Sequence, residues 1–450
     1  MSRNLIIRNG CIMSGNPAVE ICGDLLLEDG KISRIGNIGR ESAPCAEIDA
    51  GGKYILPGLV DPHTHYIENK QAGYKMLIAA GVTTALDTIV GNGDIIRQYV
   101  ANNGAGLTCA AFYLLKPDST VPGTNPSRDE LDKAIKASKA EKLYGVKIAG
   151  AHYPFTPEAN ARAIAQAAEL GIPLMIHAGS TESTDDMNGM REIVEGACGN
   201  PFILAHVNVY CNGKASGNPD ADALEAIRML NDNPRIVSES TLNIYGSIGT
   251  RMINDIPESL CMQEMLREAG YDATYQGLLA ALEKGAFQAS GPVGWEYRIL
   301  SPSDGVALCR ERHGQVTVRS LCRKKSTNVI VASGKRADGS FTVPAFSSDG
   351  GIIPANIVLQ EGLELVEAGV LTLSEFVQKS AYAGAALMGI DGRKGIIAEG
   401  ADADLIIVDR SVKKPEYTIT NGQVVYHNGE FIPAPNVYLA LPDHLPYWLR

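Results

Sequence analysis

Residues 56–65 read Leu56-Pro57-Gly58-Leu59-Val60-Asp61-Pro62-His63-Thr64-His65, an apolar run that ends in two histidines. In an extended strand the side chains of residues i and i+2 point to the same face. His63 and His65 can therefore reach one metal ion at the end of a strand. An isolated pair of this kind also occurs at ordinary polar strand ends, so the rest of the chain has to decide between the two interpretations.

Seven further apolar runs follow and alternate with helical stretches such as Glu158–Leu170 and Ala221–Leu230. Continuous apolar runs are typical of parallel strands, which are buried on both faces of the sheet. Eight such strands in alternation with helices predict an α/β fold, a (β/α)8 TIM-type barrel. The predicted strands are Leu59–His65, Thr83–Ile89, Thr108–Leu115, Val146–Ala149, Leu174–His177, Ile203–Val207, Ile236–Glu239 and Val343–Asp349.

The two ends of the chain carry short β segments with turn signals such as Asp29-Gly30 and Asn421-Gly422. Such segments cannot bury a core alone, so we expect them to pair into one small β-sandwich domain built from both ends. We expect an insertion in the barrel to serve as a lid or as an oligomer contact. The predicted division is 1–56 for the first part of the β domain, 57–395 for the catalytic barrel with its insertion at about 250–340, and 396–450 for the second part with a C-terminal tail.

Composition excludes several classes of protein. The chain has 450 residues, 45% hydrophobic and 20% charged, which excludes disorder for most of its length. Its net charge of −11 argues against a nucleic-acid partner, which needs a basic surface. The sequence lacks an apolar run of about 18 residues, so we expect no membrane partner. The apolar run in Met1–Arg8 is too short for a signal peptide, and the nine cysteines form no C-x-x-C pair, which predicts a cytoplasmic protein.

Three more polar residues end predicted strands: His177, His206 and Asp349. Each alone has a common structural explanation, either a hydrogen-bonded histidine at a barrel rim or a turn aspartate before glycine. Together they fit that explanation less well, because the carboxyl ends of barrel strands meet where barrel enzymes place their active sites.

Lys147 lies inside the apolar stretch Gly145-Val146-Lys147-Ile148-Ala149. Lysine is rarely buried without a partner. Burial lowers the pKa of the amine, and a neutral amine can add CO2 to give a carbamate, a carboxylate that could bridge two metal ions. The alternative is a buried ion pair between Lys147 and a carboxylate.

These residues resemble the metal-dependent amidohydrolase superfamily, which includes dihydropyrimidinases (hydantoinases), dihydroorotases, isoaspartyl dipeptidases and N-acyl-D-amino-acid deacylases. The resemblance rests on Pro57-Gly58 with His63-Thr64-His65, on the split β domain and on residues 395–409, GIIAEGADADLIIVD. It implies two divalent metal ions. The expected ligands are His63, His65 and Asp349 at one ion, His177 and His206 at the other, and carbamylated Lys147 between them.

The resemblance also implies a mechanism. Imidazole and carboxylate ligands suit zinc, with manganese, iron and cobalt as alternatives. A bridging hydroxide would attack a non-peptide C–N amide bond of a small-molecule substrate, and Asp349 would pass its proton to the departing nitrogen. His152 or Tyr153 would bind the developing oxyanion, although both can equally be ordinary loop residues. Members of the superfamily are commonly homo-dimers or homo-tetramers.

The substrate stays open between a cyclic amide and an N-acyl amino acid. An isoaspartyl-dipeptidase-like activity is weakened because Val209 and Pro154 stand where those enzymes are expected to have arginines. A heterocycle deaminase would use one metal without a bridging lysine, so Lys147 argues against it, and the complete ligand set makes a non-enzymatic barrel the least favoured hypothesis. Asn208 is a weak candidate for substrate binding, and Glu68 is more readily a solvent or scaffold residue.

Overall fold

Eight parallel strands form a closed barrel in the computed structural model, which describes residues 4–39, 45–67 and 70–450. The last strand has two parts: Ala345–Ser347 pairs with strand 7, and Gly350–Gly351 pairs with strand 1 and closes the barrel. The predicted (β/α)8 barrel is therefore confirmed. Strands 1 to 8 are Leu59–His65, Val82–Val90, Thr108–Leu115, Gly145–Ile148, Leu174–Ile176, Phe202–Leu204, Ile236–Thr241 and Ala345–Ser347.

Four strands end earlier than the sequence predicts, strand 4 by the single residue Ala149. Strands 5 and 6 stop before His177 and His206, and the predicted strand Val343–Asp349 is interrupted at Asp349. The backbone explains two of these differences, because His206 has φ 28° and Asp349 has φ 50°, values that do not continue a strand. The polar residues that follow these strands thus lie in turns at the barrel mouth.

Helices surround the barrel and begin at polar caps. Ser127 and Thr156 accept hydrogen bonds from the backbone N–H groups of Glu130 and Ala159, which satisfies donors that a helix start leaves free. The α-helices outside the insertion are Lys70–Ala79, Gly93–Asn102, Arg128–Ala140, Pro157–Leu170, Met187–Gly196, Pro219–Asp232, Lys325–Ser333, Val358–Glu367, Leu373–Val377 and Ala383–Leu387, with a π-helix at Gln378–Tyr382. Short 3₁₀ helices lie at Gly150–His152, Val207–Val209 and Tyr447–Leu449. None of the helices in the described ranges is long and apolar enough to span a bilayer.

The two chain ends form one nine-stranded sheet. Leu405–Val408 pairs antiparallel with Tyr54–Pro57, so the second end of the chain continues the sheet begun by the first. Alternate residues such as Leu25, Leu27 and Ile407 are buried in a shared aliphatic cluster. The remaining strands are Leu5–Ser14, Val19–Glu28, Lys31–Gly36, Ala46–Asp49, Pro415–Thr420, Gln423–His427 and Glu430–Phe431, and the tail strand Val437–Tyr438 pairs instead with barrel strand 3.

The insertion follows strand 7 and has its own four-stranded antiparallel sheet. Its elements lie between Tyr245 and Leu321, and the helix Lys325–Ser333 packs on the barrel helix Pro219–Asp232 instead, although it falls inside the expected 250–340. Its helix Leu260–Glu268 packs on the 3₁₀ turn Gly150–His152, where Ala151 joins the insertion's apolar cluster. The segment therefore covers part of the barrel mouth. Its elements are the strands Tyr245–Gly249, Met252–Ile253, Ile256–Pro257, Gln288–Val293, Glu296–Ile299 and Thr317–Leu321 and the helices Leu260–Glu268, Tyr275–Glu283 and Pro302–Glu311.

A buried ion cluster ties the end of the barrel to the sheet. Lys394 is 2% exposed and pairs with Asp402 at 3.2 Å and with Asp404. Asp402 also binds Lys31 at 2.6 Å and Arg393 at 2.8 Å. Lys394 is therefore the cation that neutralises Asp404, whose other oxygen accepts the backbone N–H of Asn421 at 2.9 Å.

Replacing Lys394 by Met should lower the free energy of unfolding by about 3–5 kcal/mol, because it leaves a buried carboxylate without its cation. Lys31→Met is the matched control: Lys31 binds the same cluster but is 49% exposed, and its loss should change stability by about 1 kcal/mol or less. Urea unfolding followed by circular dichroism measures both. Equal midpoints for Lys394→Met and wild type would contradict the importance of this pair.

Candidate active site

A cavity of about 830 Å³ opens at the carboxyl ends of the barrel strands. The insertion contributes one side of its wall through residues such as Cys261, Phe287 and Arg323. The sequence-predicted ligands all line this cavity: His63, His65, Lys147, His177, His206 and Asp349. The closed barrel thus brings together side chains that are separated by up to 286 positions in the sequence.

His63, His65 and Asp349 meet at the junction of strands 1 and 8. Asp349 Oδ1 lies 3.0 Å from His65 Nε2 and 3.5 Å from His63 Nε2. The backbone N–H of Asp349 donates to the carbonyl of His63 at 3.0 Å, which holds the left-handed turn of this aspartate against strand 1. Burial disfavours the ionised carboxyl, but the two imidazoles outweigh it and hold the pKa of Asp349 well below its usual range.

His177 and His206 form a second pair beside the first. Their atoms Nδ1 and Nε2 lie 3.0 Å apart, and the ring of His206 stacks on that of His63 with centroids 5.0 Å apart. Burial, together with nearby positive charge, lowers the pKa of both rings well below the usual value. Both histidines are therefore neutral at pH 7 and carry a lone pair, the state in which imidazole binds a metal.

Lys147 is 2% exposed, and its Nζ has no hydrogen-bond partner among the described residues. Burial lowers its pKa to about 8, although Glu239 and Asp349 act in the opposite direction. About one tenth of the amine is consequently neutral at pH 7, far more than for an ordinary lysine. The ion pair that is the alternative explanation for a buried lysine is absent from the described part of the chain.

The donor set fits divalent cations. His65 Nδ1, His177 Nε2 and His206 Nδ1 are buried without a hydrogen-bond partner among residues 4–39, 45–67 and 70–450, as is the amine of Lys147. Donors of His63, His206 and Asp349 also lie within 4.8 Å of one another. Imidazole nitrogens and an ionised carboxylate in this arrangement are the ligands that zinc and related ions bind.

Glu239 is an important residue that the sequence reasoning missed. It is fully buried at strand 7, and its Oε1 accepts hydrogen bonds from His63 Nδ1 at 2.7 Å and from the backbone N–H of His206 at 2.6 Å. The hydroxyl of Ser347 donates to its other oxygen. These bonds place the His63 proton on Nδ1 and leave Nε2 to face the cavity. Glu239 is the last residue of the predicted strand Ile236–Glu239, the same kind of position that singled out His177 and Asp349, so this residue could have been found.

His152 and Tyr153 both line the cavity. The ring of His152 lies edge-on to His177 at 4.7 Å, and its Nδ1 is 3.0 Å from the hydroxyl of Ser259 in the insertion. The Tyr153 hydroxyl donates to Glu258 at 3.4 Å, and Lys116 lies over its ring. His152 is therefore the closer of the two to the predicted metal ligands.

Asn208 does not line the cavity. It is fully buried, and its amide bonds Thr241 and Asn328 at 2.8–3.0 Å, so it braces strand 7 against the helix Lys325–Ser333. Glu68 lies outside the described residues. The cavity residues of the insertion, Ser259, Cys261 and Arg323 among them, were not predicted, because no local pattern reveals which part of an insertion folds back over a barrel.

Comparison with known proteins agrees with the resemblance to amidohydrolases. The family model described as "Amidohydrolase family" matches residues 54–197 and 304–431. The D-hydantoinase of Geobacillus stearothermophilus is 25% identical, over 99% of this chain and 96% of its own length. A dihydroorotase of Pelobacter propionicus is 21% identical, over 90% of each chain.

Solved structures share the fold. The dihydropyrimidinase of Brevibacillus agri has a TM-score of 0.64 at 16% identity and covers 97% of this chain and 98% of its own. A D-aminoacylase, studied for its binuclear metal centre, has a TM-score of 0.67 at 15% identity. The match covers 97% of this chain and 99% of the D-aminoacylase chain.

Replacing Glu239 by Gln should weaken divalent-metal binding by about 10- to 100-fold, because the charged partner of His63 is lost while the size of the side chain is kept. Competition with a chromogenic chelator, followed by metal analysis, measures this affinity. Glu169→Gln, at a glutamate on an exposed helix surface, is the control and should leave affinity unchanged. Unaltered affinity in Glu239→Gln would show that Glu239 does not orient the ligands.

Proposed function

Since the chain belongs to the amidohydrolase family, we propose that it is a binuclear metal-dependent hydrolase that cleaves a non-peptide C–N amide bond. The observation that carries the proposal is the group of buried imidazole and amine nitrogens at the mouth of the barrel that have no hydrogen-bond partner among the described residues. The names of its relatives, D-hydantoinase, dihydroorotase and D-aminoacylase, support a cyclic amide or an N-acyl amino acid as substrate.

The proposed ligands are the six residues predicted from the sequence. His63, His65 and Asp349 would hold one ion, and His177 and His206 the other, with zinc as the favoured metal. When bound, the ions would lower the pKa of a water molecule from about 15.7 toward about 7 and polarise the substrate carbonyl.

Lys147 would bridge the two ions as a carbamate. Its neutral amine forms a C–N bond to CO2 and releases one proton, so a potential cation becomes a carboxylate. The unpartnered Nζ and its lowered pKa support this step. The change of sign matters because an ammonium group at this position would repel divalent cations.

Asp349 would carry the proton. Its carboxylate is ionised because its pKa lies well below the usual value: burial acts against ionisation, but the contacts with His63 and His65 outweigh it. It can therefore accept the proton of the attacking water and deliver it to the departing nitrogen, which would otherwise leave as a poor amide anion.

His152 is the better candidate for the oxyanion donor. Burial lowers its pKa to about 4, so its ring is neutral and has one N–H to donate. If Ser259 donates to Nδ1, that N–H lies on Nε2. Tyr153 keeps its proton, because burial raises the pKa of its hydroxyl to about 12, but this hydroxyl already faces Glu258. A well-placed donor contributes about 3–4 kcal/mol to the transition state.

We also propose that the protein works in the cytoplasm as a homo-dimer or homo-tetramer, as the resemblance implies. Light scattering on the metal-loaded protein gives the oligomeric state directly.

The test is a hydrolysis screen of the zinc-loaded protein with hydantoins, dihydropyrimidines, N-acyl amino acids and β-aspartyl dipeptides. We expect about two metal ions per chain and turnover in one of the first three classes. One ion with release of ammonia from a heterocycle would favour a deaminase instead, and a metal-free, inactive protein would exclude the proposal.

Lys147→Ala should lower kcat/KM by at least about 100-fold and release metal, because the bridging carboxylate is lost. Intact-mass analysis of the wild type should show one added CO2 that disappears in the variant. Lys139→Ala, at a lysine on the surface helix Arg128–Ala140, is the control and should keep both activity and metal. Full turnover and metal content in Lys147→Ala would contradict the bridging role.

A further inference from the structure

We propose that Arg323, on the insertion, receives a carboxylate of the substrate and selects N-acyl amino acids over uncharged cyclic amides. This inference rests on the proposed hydrolase function and names its substrate class. It is carried by the hydrogen bonds of the guanidinium, by the charges around it and by the apolar wall of the cavity.

The guanidinium of Arg323 is anchored along one edge. Its Nη1 donates to the carbonyls of Asn243 at 3.2 Å and Tyr245 at 3.0 Å. Its backbone N–H donates to the carbonyl of Ile244 at 3.0 Å, just beyond the strand Thr317–Leu321. Both the backbone and one nitrogen of the side chain are therefore fixed to the loop that follows strand 7.

The opposite edge is left without a partner. Nε is buried and unsatisfied, and Nη2 makes no hydrogen bond within the described part of the chain. Nε and Nη2 are the two parallel donors with which arginine grips a carboxylate bidentately. Nε is a buried donor without an acceptor, which is unfavourable, and Nη2 is a free donor of the same cavity-lining guanidinium, so this edge favours an anionic ligand.

The other cations of the cavity wall are committed elsewhere. Lys214 pairs with Glu264 at 3.5 Å and Glu268 at 2.7 Å. Lys147 lies on strand 4 among the histidines, where the proposed carbamate would remove its positive charge. Arg323 makes no ion pair within residues 4–39, 45–67 and 70–450: Asp185 and Asp349 in the same cavity are near enough to interact with its charge, but neither contacts the guanidinium.

The wall beside Arg323 is apolar in part. Ile248, Met265 and Phe287 line the same cavity, which also contains Asp349 and the histidines. A substrate with a carboxylate, an apolar side chain and an amide can therefore meet the arginine, the apolar wall and the metal ligands within one cavity. An N-acyl amino acid with an apolar side chain carries its carboxylate, its side chain and its amide nitrogen on one carbon, Cα.

The experiment compares racemic N-acetylmethionine with N-acetylmethionine amide, which lacks only the negative charge. Both are tested as substrates and, by calorimetry, as ligands of the zinc-loaded protein. We expect the wild type to prefer the acid. Arg323→Met should reduce kcat/KM for the acid by about 10- to 150-fold, mainly through KM, and leave the amide unchanged, because a charged hydrogen-bond pair is lost. Arg323→Lys should recover part of the preference for the acid, since lysine keeps the positive charge but lacks the paired N–H donors of the guanidinium.

Arg319→Met is the matched control. Arg319 lies on the strand Thr317–Leu321 that precedes Arg323, stacks on Tyr245 and bonds Gln288. It does not line the cavity, so this variant should keep the wild-type preference. Equal losses for acid and amide in Arg323→Met, or no acid preference in the wild type, would overturn the assignment. Preferential binding of the acid without turnover of either compound would leave Arg323 supported and count against the proposed hydrolase function alone.

Discussion

The barrel buries the amine of Lys147 and ring nitrogens of His65, His177 and His206 at one end without giving them hydrogen-bond partners among the described residues. Each unsatisfied buried polar atom costs about 1–3 kcal/mol. The closed strands hold these groups in place because the polar residues extend from a rigid, fully paired sheet. Metal ions that bind the free lone pairs would offset this cost. The buried, unpartnered nitrogens therefore destabilise the fold and at the same time favour metal binding.

Orientation of the ligands depends on hydrogen bonds between neighbouring strands. Glu239 on strand 7 contacts His63 on strand 1 and the backbone at His206 after strand 6, so one carboxylate fixes parts of both proposed metal positions. Asp61 fastens strand 1 to the last strand in a similar way, through the backbone N–H of Ser348 at 3.2 Å. Burial raises the pKa of Asp61 to about 7, which shows how strongly this layer excludes water.

Much of this arrangement could be predicted from the sequence, because it follows from strand periodicity. Leu59–His65 and Thr108–Leu115 have the predicted bounds, and the polar residues after the strands meet because parallel strands end at one rim. The turns at His206 and Asp349 could not be predicted, since a positive φ at a non-glycine residue depends on tertiary contacts. For Glu239 the position at the end of a strand could be predicted, but its hydrogen-bond partners could not, because His63 and His206 are distant in the sequence.

The barrel and the insertion differ in the charges that they leave unpaired in the cavity, since Glu264 and Glu268 on the insertion side are paired with Lys214. Glu239, Asp349 and the proposed carbamate of Lys147 place negative charge on the barrel side, which favours cations there. Arg323 places positive charge on the insertion side, held by carbonyls of the loop after strand 7. A substrate with an amide at one end and a carboxylate at the other has only one favourable orientation in such a field. The barrel would then determine which bond is cleaved, while the insertion would determine which molecules present that bond.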